Sequence, residues 1–580
     1  MTRSSSILAG DPNGESGAPA RAAALPSGFR KALVWLVVVV VGALVAHACG
    51  YAFGVANQAT YFLEALHRAH PELLRHDWLV MNTSEYHSAF GFFAGALFRI
   101  DDSGAIVFGI AHVLFMVTLM CGVFLVVRGV TAQAALSAFL LVVGWFAVDG
   151  VHSIAGSYLW SCYLQPSLIA SAGWMLALAM HVRGRPLATG IALAIGGVFH
   201  INFLLLGIGM FGLAELIADK EQRGRRLALL LAPQLVALAI LAPELLANAG
   251  GSDPSGALWV LVQFHAPLHY EPSRIVVQLP TMLRWVALAI VVAPVASKCG
   301  KRPEVRRLLW WSIIAGTICA VATLIMMIPA LLPLSRLYVW RLAPFSVATA
   351  AIVIAISVMA TITDPSCWRE QPLWRRVVAI VLVVAIAADS PFLSLNADAT
   401  WLLWPTVAAI VFAFALPLRS RNILLVVLAL GTLAAPLWYR RNAIINPPTG
   451  IGSDGPDADG LYAWAQTSSP TDSVFMTPPD LFRFRLVARR AVYADFKSPP
   501  LAPDDLLEWH ARLCRMNGAL PTDKIPAHRR RWLDATGDAL LARSRELGID
   551  YLVLDRTPSH DRIAARPVFS NDSFAVFAVH

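Results

Sequence analysis

The sequence predicts a mainly α fold: a polytopic transmembrane helical bundle of about 12–13 passes, followed by a small extracytoplasmic α/β domain at the C-terminus. Three observations carry this. The chain of 580 residues is 57% hydrophobic and only 14% charged, with a mean hydropathy of +0.61, whereas an ordinary soluble domain has about a quarter of its residues charged. Long apolar runs, separated by short basic loops, recur up to residue 438. Past Tyr439 they stop and a mixed, charge-rich sequence takes over.

The net charge of +9 does not mark a nucleic-acid binder, because acids and bases nearly balance in 439–580 and the surplus sits in the short loops of the apolar half. Loop charge of that kind sets membrane topology. Seven cysteines are scattered without a CxxC pair, and only Cys514 falls in the C-terminal domain. That distribution indicates neither a disulfide framework nor a metal site.

Residues 1–28, rich in Ser, Gly, Ala and Pro, read as a disordered cytoplasmic tail. Residues 29–438 are the expected transmembrane domain. Its first span, Ala32–Ala48, follows Arg30 and Lys31, and although "AHAC" resembles a cleavage site, the segment is long enough to remain an anchor. Residues 49–103 form the first outward loop. Further apolar runs lie near 104–127, 132–150, 161–181, 187–217, 226–246, 278–297, 307–331, 343–362, 374–389, 400–416 and 421–438.

The run at 187–217 has a parity problem, since both flanks, "VRGRP" and "KEQRGRR", carry the basic residues of a cytoplasmic side. Two short passes with His200 and Asn202 near their tip resolve it. The total becomes thirteen passes, with the N-terminus inside. The first loop, "DGVHS", residues 247–277, "LSRLYVWRLAP" and all of 439–580 then face outward. The cytoplasmic loops are too small for a nucleotide-binding domain and contain no P-loop.

Most chemistry-bearing residues fall on that outward side. The stretch "RHDWLVMNTSEYH" concentrates His76, Asp77, Glu85 and His87, polar groups that a membrane protein keeps only where water, a partner or a substrate satisfies them. A second group is His152, His265, His269 and Tyr270. Asp77, His87, Asp149 and His152 are conceivable metal ligands, although no short spacing links them. Arg336 and Arg341 stand five apart with Tyr338 and Trp340 between them. Guanidinium forks suit a phosphate headgroup, and a basic-aromatic belt at the lipid surface is the alternative.

In the C-terminal domain, "NPPTGIGSDGPDADG" reads as a turn-rich linker, "SVFMTPP" and "DYLVLD" as buried strands, and "PDDLLEWHARLCRM" and "ALLARSREL" as helices. Arg483, Arg485, Arg489, Arg490 and Lys497 interleave with aromatics. They form either an anion-binding surface or a solvated segment with Asp480 and Asp495 as counterions.

The order of parts resembles the GT-C class of integral membrane glycosyltransferases, which use polyprenyl-phosphate-linked sugars. The motifs "NQATYFLEALHRAHPELLRHDW", "YLQPS", "HAPLHYEPS", "SRLYVWR" and "FRFRLVARRAVYADFKSPPLAPDDLLEWHARL" are similar to those of a group of bacterial multi-spanning proteins whose C-terminal domain has no assigned function. That group tends to carry two adjacent histidines where this chain has Leu268-His269. The GT-C resemblance implies a sugar transferred from a polyprenyl-phosphate donor to an extracytoplasmic acceptor, in a bacterial inner membrane with the C-terminal domain periplasmic. It also implies an acid of the first loop, Asp77 or Glu85, as proton acceptor or as ligand to a divalent Mg or Mn ion. His87, His152, His269, Tyr270, Arg336, Tyr338 and Arg341 are the expected substrate-binding residues. The paired acids usual in that loop are absent, since Asp77 and Glu85 lie eight positions apart. Asp77 can alternatively cap the following helix, with Trp78 as an interface anchor. Membrane lipids and the lipid-linked donor are the expected partners. A non-catalytic scaffold that keeps the GT-C architecture, and a lipid or solute transporter, are the other classes the sequence allows.

Overall fold

A computed structural model describes residues 27–49, 51–84, 87–132, 134–146, 151–218, 222–388, 450–451 and 454–579. The expected tail, the runs at 400–416 and 421–438, Glu85 and Asp149 lie outside the described residues. Helix α1 (Ser27–Cys49) leads through β1 (Ala52–Phe53) into a first loop built from α2 (Gln58–Ala69), α3 (Trp78–Asn82) and α4 (Ser88–Ile100). There follow α5 (Ala105–Val130), α6 (Ala135–Phe146), α7 (Pro166–Val182), α8 (Pro186–Val198), α9 (Ile201–Ala218) and α10 (Arg223–Ala247). A second loop holds α11 (Pro254–Trp259), a π turn at Val260–His265, α12 (Pro267–Tyr270) and α13 (Pro272–Val276). The bundle continues through α14 (Leu279–Cys299), α15 (Arg302–Met326), 3-10 turns at Pro329–Leu337 and Val339–Leu342, α16 (Ala343–Thr363), α17 (Ser366–Arg369) and α18 (Leu373–Ala388).

Six described helices are long and apolar enough to cross a membrane, and the chain is an integral multi-pass membrane protein. Ile106, Ile110 and Leu114, one turn apart on α5, remain more than half exposed, the arrangement expected where the surrounding medium is hydrocarbon. The buried centre is α16, with 94% of its span inside the protein. Its small residues let neighbours approach closely, and Ser312 and Ser346 each donate to the other's carbonyl at 2.8 Å across the α15–α16 contact.

The run at 187–217 is two helices broken at Phe199–His200. A Cβ at Gly197 would meet Leu204, and one at Gly207 would meet Leu193, so the two halves fold back antiparallel about His200. Gly190 lets α8 rest on α10, for a Cβ there would lie 2.2 Å from the Leu230 carbonyl oxygen. His200 at the tip meets His87 of the first loop, with ring centroids 4.5 Å apart.

Residues 454–579 form an α/β unit. Its helices are α19 (Pro456–Ser468), α20 (Phe484–Ala488), α21 (Pro503–Asn517), α22 (Ile525–Asp534) and α23 (Gly537–Glu546). Its strands are β3 (Val474–Met476), β4 (Ala491–Val492), β5 (Tyr551–Asp555), β6 (Phe569–Ser570) and β7 (Phe574–Ala578), in the order β4-β3-β5-β7-β6. β3 pairs in parallel with β4 and β5, and β7 is antiparallel to β5 and β6. The two expected strands and two expected helices are present. The linker expected at 446–460 instead ends inside α19, because Pro456 at the first helical position, with Asp457 and Asp459 in the first turn, starts a helix there.

This unit is fastened to the first loop. β1 pairs in parallel with β2 (Gly450–Ile451). Arg483 Nε donates to the Gly54 carbonyl at 2.8 Å, and Arg489 reaches Asp102 Oδ2 at 2.9 Å. Ser84 N–H donates to Asp505 at 2.9 Å, and Ser252 N–H to Asp504 at 2.7 Å. The first loop, the second loop and the C-terminal unit therefore share one end of the bundle. The basic residues Arg183, Lys298, Arg302 and Arg307 gather at the other, where Arg307 donates to the Val182 carbonyl.

Candidate functional site

Two features of the first loop decide how its acids are used. Asp77 is fully buried and caps α3, its Oδ1 accepting from the Leu79 and Val80 amides at 3.1 and 3.3 Å. Its Oδ2 accepts from Arg485 Nε at 2.8 Å and from the Val492 amide at 3.0 Å. Arg485 also pairs with buried Asp495 and donates to the Val492 carbonyl. Both oxygens of Asp77 are thus occupied twice, which corrects the expectation that it accepts a substrate proton: no lone pair is left open to one. Trp78 lies under the Arg512 guanidinium at 4.5 Å.

The remaining arginines of the C-terminal motif are paired as well: Arg483 with Asp454 and Gly54 and Arg489 with Asp102 at the same seam, and Arg490 with Ser469 and the Gln466 carbonyl inside the C-terminal unit. The anion-surface alternative loses these four arginines. Lys497 is different, with no ion pair among the described residues; burial pulls its ammonium below the usual lysine range, against the opposing charge of Asp495.

The polar residues that do converge lie around Arg341. Its guanidinium sits 4.9 Å from the Tyr338 ring centre and 5.3 Å from that of Phe203. Its Nε has no hydrogen-bond partner, and it forms no ion pair among the described residues. Burial, then the charge of Arg341, pushes the His87 imidazole down to about 3. Burial raises the Tyr61 phenol to about 12 against the pull of Arg341, and raises Tyr270 against Arg341 and Arg336. His87 packs edge-on to Tyr61, ring centroids 5.2 Å apart.

His269 joins this group through a strained loop contact. Ala155 and Tyr338 both adopt left-handed backbone conformations, φ +57° and +44°, uncommon for residues with a Cβ and a frequent mark of functional sites. The Ala155 carbonyl accepts from Tyr338 Oη at 2.7 Å and from His269 Nδ1 at 2.6 Å. That bond fixes the proton on Nδ1 and leaves Nε2 as the free acceptor. Gly156, at φ +64°, has no Cβ because one would lie 2.8 Å from His269 Cε1. Burial lowers the His269 imidazole, the Ala155 bond opposes this, and the charges of Arg341 and Lys497 lower it further. His269 is therefore a neutral ring acted on by two cations that form no ion pair among the described residues, one from each half of the molecule.

A cavity of about 70 Å³ opens beside this cluster, lined by Tyr61, Glu64, His87, Pro499 and Pro500 among others. Glu64, which pairs with Arg68 at 3.3 Å, places a carboxylate in its wall. A larger cleft of about 490 Å³ lies among α14 and α15 at the basic end, with Arg302 and Arg306 its charged residues, far from these groups.

Of the expected site residues, His87, His269, Tyr270, Tyr338 and Arg341 come together. Arg336 is half-buried and acts on Tyr270. His152 is exposed against Tyr158, ring centroids 5.3 Å apart. Of the expected metal set, Asp77 is engaged in the Arg485 seam, His87 faces Tyr61 and His200, His152 packs on Tyr158, and Asp149 lies outside the described residues. Sequence reasoning missed Tyr61, Glu64 and the convergence of Lys497 with Arg341, which no local spacing reveals.

A family model described as Domain of unknown function (DUF6798) matches residues 456–516, and a search of curated proteins finds no match. Among solved structures the chain is similar to ArnT from Cupriavidus metallidurans bound to undecaprenyl phosphate, at 13% identity over 96% of this chain and 99% of that one, TM-score 0.48. It is also similar to the archaeal oligosaccharyltransferase AglB from Archaeoglobus fulgidus in complex with an inhibitory peptide and a dolichol-phosphate, at 11% identity over 91% of this chain and 70% of that one, TM-score 0.49. Both are GT-C glycosyltransferases. Neither likeness assigns chemistry to a residue of this chain.

Proposed function

We propose that the chain is a glycosyltransferase that moves a sugar from a polyprenyl-phosphate-linked donor to an acceptor outside the cytoplasm. The observation that carries this reading is that Arg341 and Lys497, whose charges both act on His269, form no ion pair among the described residues. Arg341 and Lys497 are half-buried, and a half-buried cation without a counterion is costly unless an anion completes it; a lipid phosphate arriving from the membrane is an anion of the right chemistry. In a transfer reaction these cations stabilise the charge that develops on the departing phosphate. The neutral rings of His87 and Tyr270 offer hydrogen bonds without competing for that charge. With Asp77 fully engaged, the proton of the acceptor hydroxyl passes to Glu85, which the sequence places between Ser84 and His87, with Glu64 in the cavity wall as the alternative. No step is routed through a metal ion.

In this reading the loop-bearing end faces the periplasm of a bacterial inner membrane and the basic end faces the cytoplasm, in keeping with the charge bias of cytoplasmic loops. The test is binding of a polyprenyl-phosphate analogue to the reconstituted protein. Arg341→Gln and Lys497→Gln each weaken it by about 1–3 kcal/mol, the worth of a charged hydrogen bond, while Glu85→Gln retains binding and loses transfer by about 10²–10⁴-fold. Glu64→Gln distinguishes the second carboxylate. Unchanged analogue binding in both cation variants sinks the donor site, and no binding by the unmodified protein favours the scaffold reading.

A further inference from the structure

A second group of ligand-bearing side chains lies in the C-terminal unit, where the sequence indicated none. His510 and Cys514 stand four residues apart, and so on one face of α21, and His528 meets them from α22. One ligand atom from each lies within 4.8 Å of the other two, and Cys514 Sγ is 3.8 Å from His510 Nε2. All three are buried, His528 completely.

The polar partners of this group are incomplete in one particular way. His528 Nε2 has no hydrogen-bond partner, and neither has the nearby Asn517 Oδ1, while Asn517 Nδ2 lies 3.2 Å from His528 Nδ1. The oxygen and nitrogen of an amide are assigned rather than observed. Turning the Asn517 amide over satisfies Oδ1 with the Nδ1 proton of His528 and leaves the Nε2 lone pair bare. A histidine whose far nitrogen donates to an oxygen is the arrangement of a metal-ligating imidazole.

We infer that His510, Cys514 and His528 form a transition-metal site for a zinc(II)-like cation, with Asn517 orienting His528. Two imidazoles and one thiolate suit that class of ion. Bonds of about 2.0–2.3 Å in a tetrahedron set ligand atoms about 3.3–3.8 Å apart, which His510 and Cys514 already meet. Burial keeps both imidazoles neutral down to about 4 and holds the Cys514 thiol up to about 11. Binding therefore forms the metal–sulfur bond as the thiol releases its proton to solvent, and the imidazoles bind without losing one. The fourth position falls to water. Phe264 of the second loop covers the group, its ring 4.6 Å from His510 and 5.0 Å from His528. A bound ion would therefore clip α21 to α22 where the C-terminal unit meets the membrane half.

The test uses the full chain in detergent, stripped with chelator and titrated with cobalt(II). One equivalent is expected to bind with a thiolate-to-cobalt charge-transfer absorption that zinc(II) abolishes by displacement. Cys514→Ser removes the absorption, and Asn517→Ala weakens cobalt binding by about 10–100-fold, the usual effect of losing a ligand's orienting partner. Should Cys514→Ser fail to fold, protection of Cys514 from alkylation by zinc(II) in the unmodified protein, read by mass spectrometry, supplies the same evidence. No thiolate–cobalt absorption in the unmodified protein, its persistence in Cys514→Ser, or equal alkylation with and without zinc overturns the site.

Discussion

Replacing Asp77 with asparagine separates a structural from a chemical role for the first loop's best-placed acid. In the native arrangement four donors converge on one carboxylate, two backbone amides of α3 on one oxygen, and Arg485 with the Val492 amide on the other. An amide has one acceptor oxygen and one donor nitrogen. Whichever way the new side-chain amide is turned, either the α3 cap or the Arg485–Val492 pair faces an N–H group. Arg485 is 2% exposed and keeps only Asp495 as its ion-pair partner. Breaking one side of a buried ion pair costs about 3–5 kcal/mol, and loss of a cap adds about 1 kcal/mol if the amide turns the other way. The seam between the first loop and β4 should open by the larger figure, raising amide hydrogen exchange at Val492 or at Leu79 and Val80 on the order of 10²–10⁴-fold. Exchange of amides in α16, remote from the seam, should be unaffected. Native exchange at all three seam amides in Asp77→Asn would falsify this account and return Asp77 to the chemistry that its position in the sequence suggested.

Gly156→Ala places a Cβ against His269 and forces a left-handed alanine, about 1–2 kcal/mol from the backbone alone. It should lower thermal stability and weaken phosphate-analogue binding together, and an effect on neither refutes the His269 contact. Gly190→Ala drives α8 away from α10 at the Leu230 carbonyl and should destabilise the bundle by about 1–3 kcal/mol, read as a lower melting temperature in detergent with the C-terminal unit's exchange unchanged. In metal-stripped protein, His87 and His265 are held down to about 3 and His510 and His528 to about 4, in each case first by burial. The unfolded chain, with histidines near 6.5, binds more protons between those values. Stability is therefore complete above about pH 6.5 and is lost as pH falls toward 4, and a melting temperature flat across that range contradicts the buried-neutral assignment.

The sequence by itself determined the class of the protein, because a hydropathy pattern is a property of the chain that lipid reads directly. The break at His200 was legible from the basic residues on both flanks of one long apolar run. The strands at Val474–Met476 and Tyr551–Asp555 and the helix at Pro503–Asn517 were legible from local apolar spacing. The α3 cap by Asp77 was legible as one of two readings of an acid before a helix. What the sequence left open was which polar residues spend their charge on one another. Asp77 and Arg485 lie 408 positions apart, and only the docking of the C-terminal unit on the first loop joins them, leaving Asp77 without a free oxygen. The same docking brings Lys497 toward Arg341 and His269, and the packing of α21 on α22 turns a lone cysteine into one of three converging ligands. Long-range ion pairing follows from tertiary packing, and neither periodicity nor spacing carries information about it.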